Sequence, residues 1–203
     1  MAKKIGLNTA EKKDSQGLCF IGKVKLPVFL QQQLKPKKGK VIEIDRNHKT
    51  FKTYNKPYIA YALDSSMGKI VGEHEGAHYF TIGQRKGLNI GGTPLPLFII
   101  GTDTTENMIY VGQGEDHPGL FRKGLTVKNG DIHWLREDLT LQVGESEEFL
   151  CRIRYRQALT EAKLIQKNNE LLISFNKPQR GITAGQFVAW YKNDELIGSG
   201  VIN

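Results

Sequence analysis

The sequence predicts a mainly β protein in which a small central β-rich domain is followed by an antiparallel β-barrel. Three observations predict it. From residue 95 onward, short apolar runs recur at regular spacing, parted by turn formers such as Asn168-Asn169 and Asn193-Asp194. That is the pattern of a small antiparallel barrel. Upstream, glycines at 83, 87, 91 and 92 keep the backbone irregular,. Finally, 39% hydrophobic and 25% charged residues describe a globular chain,, and no apolar run approaches the ~20 residues that span a bilayer.

In chain order, residues 2–6 read as the end of a helix stopped by Gly6, and Pro27 opens a short helix through Leu34,. Lys35 to Gly39 is a turn, and Val41 to Ile44 a short strand. Residues 46–67 hold Phe51, Tyr54, Tyr58 and Tyr61 among Asn, Lys and Asp, and are read as a hairpin-like excursion. A strand enters at Lys69. Leu95–Gly101 and Met108–Gly112 flank a turn at 102–107,. The remaining strands are placed at 125–127, 131–135, 148–155, 162–165, 171–175, 187–191 and 196–202.

Charge is distributed unevenly. The net charge is +8, and residues 1–40 hold ten lysines against Glu11 and Asp14, so the rest of the chain is neutral overall. A basic excess this local fits a solvated face or a polyanion contact, nucleic acid being the obvious candidate. Within it lies Asp14-Ser15-Gln16-Gly17-Leu18-Cys19-Phe20-Ile21-Gly22. Nearby lysines favour a reactive thiolate at Cys19. The apolar run around it equally fits a small core residue, the commoner fate of a free cysteine. Cys19 and Cys151 make no disulfide framework, and a cytoplasmic setting is expected,.

Two further segments carry chemistry. Gly83-Gln84-Arg85-Lys86-Gly87 can present backbone N–H groups and cations to phosphate, or be a surface turn,. It lacks the Gly-Lys-Ser/Thr ending of a nucleotide P-loop. His74 and His78 are four apart, but their order and the lack of a third ligand argue against a metal site,. In the strand from Glu148 to Gln157, alternation places Phe149, Cys151, Ile153 and Tyr155 on one face,. Arg152, Arg154 and Arg156 fall on the other, ~6.6 Å apart, comparable to successive phosphates,. Arginine binds phosphate through a bidentate fork; Glu161 and Glu170 are the acids that could pair with the stripe instead. Cys151 is read as inert core.

Taken together, three segments resemble one family, the bacterial tRNA-specific 2-thiouridylases. The Cys19 segment resembles its Asp-Ser-Thr-Gly-Ile-Cys-Phe-Ile-Gly signature. Residues 79–92 are similar to its Tyr-x-Thr-x-Gly-Gln-Arg-Lys-Gly-Leu-Gly-Ile-Gly-Gly, and Arg154-Tyr155-Arg156-Gln157 with Ala184-Gly185-Gln186 to its barrel strand and Pro-Gly-Gln turn. Gln16 stands where the family has Thr, Asn89 where it has Gly, and Ala184 where it has Pro. Residues 46–67 resemble an insertion.

The resemblance implies three parts: 1–22 as a short α-helical remnant of a missing α/β domain with the cysteine loop, 23–92 as the central domain, and 93–203 as the tRNA-binding barrel. It implies sulfur held as a persulfide on Cys19 and transferred to C2 of the wobble uridine. ATP would be bound by a PP-loop domain whose Ser-Gly-Gly-x-Asp-Ser motif these residues lack, so the chain alone is expected to be inactive. The implied partners are tRNA and a sulfur-relay donor or cysteine desulfurase, with the chain a monomer. Arg154, Tyr155 and Gln186 match family tRNA contacts, with Arg85, Lys86, Arg152 and Arg156 beside them. The alternatives are a free-standing RNA-binding barrel with a structural Cys19, and a protein-interaction barrel.

Overall fold

A computed structural model describes Ile5 and residues 34–203. The Cys19 segment lies outside the described residues, as do the helices expected at 2–6 and 27–34 apart from Ile5 and Leu34. Residues 37–203 form one compact unit built on two sheets.

The first sheet is organised around β1 (Gly39–Glu43). Alternation sends Val41 into a cluster with Ile99, Ile109 and Val111, and Ile42 into another with Ile44, Ile100, Tyr110 and Leu120,. A strand apolar on both faces belongs inside a sheet. Accordingly β1 pairs antiparallel with β2 (Lys69–His74) on one edge. On the other edge it pairs parallel with β4 (Met108–Gln113), which forms a hairpin with β3 (Leu97–Asp103). The sheet order is β2-β1-β4-β3. The sequence groups this hairpin with the barrel and sets the domain boundary at 92/93. Its pairing to β1 corrects that: sheet membership changes after Gln113, at Phe121.

A second correction concerns residues 46–67, which contain no strand. They hold α1 (Lys49–Lys52) and one 3₁₀ turn at Ser65–Met67. The aromatics here do not alternate but pack on one another. Phe51 meets Tyr61 at 5.2 Å between ring centroids, and Tyr54 meets Tyr61 at 4.3 Å. The Tyr61 hydroxyl donates to the Phe121 carbonyl at 3.1 Å. Tyr58 lies against Gly124, where a Cβ would stand 2.7 Å from its ring. The segment therefore clamps the first sheet to the second.

The second sheet has seven antiparallel strands: β5 (Phe121–Lys128), β6 (Ile132–Trp134), β7 (Ser146–Arg152), β8 (Thr160–Gln166), β9 (Glu170–Arg180), β10 (Phe187–Lys192) and β11 (Glu195–Val201). Their order is β5-β9-β8-β7-β10-β11-β6. β5 and β6 stand at opposite ends of that order, yet only three residues join them. The sheet must therefore curl on itself. The chain after β11, the neighbour of β6, reaches β5: the Asn203 N–H donates to the Thr126 carbonyl at 2.9 Å. Inside lie Leu125, Val127, Phe149, Leu164, Ile173, Val188 and Trp190, all buried. Cys151 is also there; burial pushes its thiol pKa up to about 12, so it stays protonated and inert,.

Candidate nucleic-acid interface

The strand expected through Tyr155 ends at Arg152. Two hydrogen bonds turn the chain there. The Ile153 N–H donates to Gln157 Oε1 at 3.2 Å, and the Gln157 N–H to the Arg154 carbonyl at 3.1 Å. The extended stripe of Arg152, Arg154 and Arg156 does not form. Instead Arg154, Tyr155 and Arg156 project from an exposed turn at the end of β7, while Ile153 is buried as the alternation requires.

That turn faces a second one. The Gln186 N–H donates to the Thr183 carbonyl at 3.3 Å, with Gly185 at φ +81°. This is the left-handed region that glycine enters without a Cβ clash. Between the two turns is an open groove of about 740 Å³, walled by Arg152, Arg154, Tyr155, Gln186, Phe187 and Tyr191. Four of the predicted residues thus converge. Phe187 and Tyr191 were not predicted, although β10 was; only the position of Gln186 at its mouth pointed there. Tyr155 is 78% exposed and Phe187 65% exposed, unusual for large rings on a well-packed barrel.

The guanidinium groups are held by dipoles and ring faces. Arg152 donates to the Tyr155 carbonyl at 3.0 Å and stacks 4.7 Å from the Tyr191 centroid. Arg154 donates to the Gly181 carbonyl at 3.1 Å. Glu161 and Glu170, the acids available to neutralise them, do not. Glu161 accepts from Asn176 at 2.9 Å instead. Among the described residues, no carboxylate forms an ion pair with Arg85, Lys86, Arg152, Arg154 or Arg180.

The glycine loop joins this surface. The Gly83 N–H donates to the Ile99 carbonyl at 2.7 Å, and the Ile99 N–H to the Gln84 carbonyl at 3.0 Å, which docks the loop on β3. The Gln84 side chain accepts from the Thr81 N–H and donates to the Lys86 carbonyl, fixing the turn while Arg85 and Lys86 stay exposed. A Cβ at Gly83 would stand 3.8 Å from Arg154 Nη2 and 3.9 Å from Arg180 Nη1. Two guanidinium groups therefore approach the same point of the loop. Arg180, which lies over the Phe98 ring at 5.0 Å, was missed in the sequence because nothing local marks a residue at the end of a long strand. Asn89 takes φ +52°, a conformation asparagine tolerates better than most residues; this is the position where the family pattern has glycine.

The histidines fill structural roles. His74 is buried, and its Nδ1 accepts from the Gly76 N–H at 2.9 Å. His78 packs its ring on Tyr79 at 4.0 Å. Among the described residues no group of three or more His, Cys, Asp or Glu could hold a metal, and no helix is long and apolar enough to cross a membrane.

Two family models match the chain in succession: a tRNA methyl transferase PRC-barrel domain over residues 28–113 and an aminomethyltransferase beta-barrel domain over 122–202. Their junction coincides with the change of sheet. Among curated relatives, the tRNA-specific 2-thiouridylase MnmA of Flavobacterium johnsoniae is 52% identical across the whole chain, which covers 54% of that protein. Those of Christiangramia forsetii and Karelsulcia muelleri are 50% and 48% identical, with 54% and 53% covered. The chain spans about half the length of the curated relatives it matches.

Proposed function

The chain belongs to the family of the tRNA-specific 2-thiouridylases, and from that premise we propose that it is the part that carries sulfur and grips tRNA. Cys19 holds the sulfur as a persulfide, delivered by a cysteine desulfurase or a relay donor. The outer sulfur attacks C2 of the wobble uridine, and the C2 oxygen leaves as AMP after ATP has adenylated it. A second thiol of the enzyme takes up the Cys19 sulfur as a disulfide, which breaks the S–S bond and leaves the thiocarbonyl. The lysines around Cys19 favour the anionic sulfur and attract the anionic RNA.

The observation that carries the RNA-binding role is the groove at the end of β7. Arg152 and Arg154 meet no carboxylate among the described residues, and Tyr155 and Phe187 stand in solvent beside them; Arg180, likewise without a described carboxylate, approaches the same loop glycine as Arg154. Uncompensated guanidinium groups with exposed rings suit a partner that is both polyanionic and aromatic. Arg85 and Lys86 extend the same field from the glycine loop.

ATP is the family's cosubstrate. Its phosphates need a cradle of backbone N–H groups, commonly at a helix N-terminus. The 83–87 loop leads into no helix, and the described residues do not fit ATP. Activation of the uridine oxygen is therefore assigned to residues other than the described ones, and the reaction is placed in the cytoplasm with tRNA.

Replacing Cys19 by serine in the full-length enzyme tests the reading. Thiolation of tRNA is expected to stop while tRNA binding persists. Retained thiolation would leave an RNA-binding barrel with a structural cysteine.

A further inference from the structure

The aromatic excursion at residues 46–67 encloses a cavity between the two sheets. Residues 58–61 form one wall, and residues 100–102 of β3 with Arg122 and Thr126 of β5 form others. The volume is about 450 Å³, within the ~300–1,000 Å³ typical of small-molecule sites. No lining residue is shared with the groove at the end of β7. Ile100, Leu120 and Ile182, all buried, make the lining largely apolar. Few polar groups in an apolar wall is the usual make-up of a ligand pocket.

Among the described residues, Arg122 is the one charged side chain in that lining. Its Nη2 donates to the Ile182 carbonyl at 3.2 Å, and it forms no ion pair with a described carboxylate. Burial pushes its pKa down, as expected for a charge taken out of water without a counter-ion. The neighbouring phenols do not supply one. Burial raises the pKa of Tyr54 and of Tyr61 above the ordinary tyrosine value, so both are uncharged near neutral pH. A guanidinium takes a carboxylate through a planar fork, one charge against one. A phosphate monoester brings a charge of about −1.5 to −2, more than the single cation of this cavity balances. A smaller pocket of about 320 Å³ shares Tyr61 and Arg122, and there Lys123 adds a second cation.

We propose that the larger cavity binds a small organic monocarboxylate, its carboxylate on Arg122 and its apolar body against Ile100, Leu120 and Ile182, walled in by residues 58–61. The site goes beyond the tRNA-binding reading and does not depend on it.

The test titrates the isotope-labelled 203-residue chain with benzoate and with 2-naphthoate near neutral pH and follows the amide NMR shifts. Saturable shifts are expected at residues 58–61, 100–102 and 182–184. The uncharged analogue 2-naphthylmethanol binds roughly tenfold more weakly than 2-naphthoate, and Arg122→Met brings 2-naphthoate down to the same level, the scale of one lost hydrogen bond to a charged group. Ala60→Trp, at an exposed position of the wall, excludes the probes while the urea midpoint stays near that of the parent. This second variant decides the matter if Arg122→Met disturbs the fold. No saturable shift with either carboxylate overturns the site. So does equal affinity for 2-naphthoate and 2-naphthylmethanol, which leaves an apolar cavity alone. Shifts confined to Asn55 and Lys123, displacement of the probe by inorganic phosphate, or unchanged binding in Ala60→Trp overturn it as well. RNA is absent from the experiment, so each of these failures leaves the tRNA reading standing.

Discussion

The curled sheet carries arginine in two settings. Just beyond β6, Arg136 grips Asp138 through Nε and Nη2 at 2.8 and 2.7 Å, and Glu195 through Nη1 at 2.8 Å to each oxygen. Its pKa is driven upward by these hydrogen bonds, and that of Asp138 downward by the same contact. At the end of β7, Arg152 and Arg154 meet carbonyls and a ring face, and no carboxylate among the described residues. Arg136 is a strut whose field is cancelled at its source. No described carboxylate cancels that of the groove arginines, which leaves it to act on an anion from outside. The number of cations on the barrel says little about nucleic acid; which of them lack acids says much more.

The largest expected effect comes from breaking the floor under both settings. Trp190 is fully buried at the centre of the core. Trp190→Ala is expected to cost about 3–5 kcal/mol, read as a lower urea midpoint. Next, the double variant Arg154→Ala, Arg180→Ala weakens RNA binding by on the order of a hundredfold at low salt, since a hydrogen bond to a charged group contributes ~1.5–3 kcal/mol. Its urea midpoint stays near that of the parent, which separates loss of field from loss of fold.

A smaller effect tests whether acid acts on the fold or on the groove. His117 is buried before β5, accepts from the Gly119 N–H at Nδ1 (3.1 Å) and lies 3.2 Å from the Ile44 carbonyl at Nε2. Burial pushes its pKa down, so the unfolded chain binds the proton more readily. Stability is therefore full above the unfolded value of ~6.5 and falls as pH drops below it. His117→Asn is expected to lose that acid step in pH-dependent denaturation. Arginine does not titrate there, so RNA affinity of the folded protein is steady across the same range. The smallest effect belongs to Arg136→Ala. It leaves RNA affinity unchanged and lowers the unfolding midpoint slightly, a difference that fades at high salt.

Much of the barrel was legible because its strands obey the two-residue period. β8, β10 and β11 fall within a residue or two of where alternation and the Asn168-Asn169 and Asn193-Asp194 turns place them. The end of β7 was not legible. Apolar and basic residues go on alternating through Arg156, and what stops the strand is a long-range lock: Gln157, which turns the chain, is itself held by Gln179 at 2.5 Å. The hairpin of β3 and β4 was readable, but its parallel seat beside β1 depends on residues 68 positions away and leaves no local mark. At the site, Arg154, Tyr155 and Gln186 were legible through the family pattern and do line one groove. Arg180 and Phe187 were not, because their meaning comes from what folding places next to them.

The central claim is that the groove arginines keep their charge for RNA, and salt tests it most directly. Binding of the anticodon stem-loop is measured against salt concentration for the parent chain, Arg154→Ala and Arg136→Ala. The predicted result is a linear fall of log affinity with log salt, its slope shallower by ~0.7–0.9 in Arg154→Ala and unchanged in Arg136→Ala. Equal slopes for all three proteins, or a flat dependence in the parent, would contradict it.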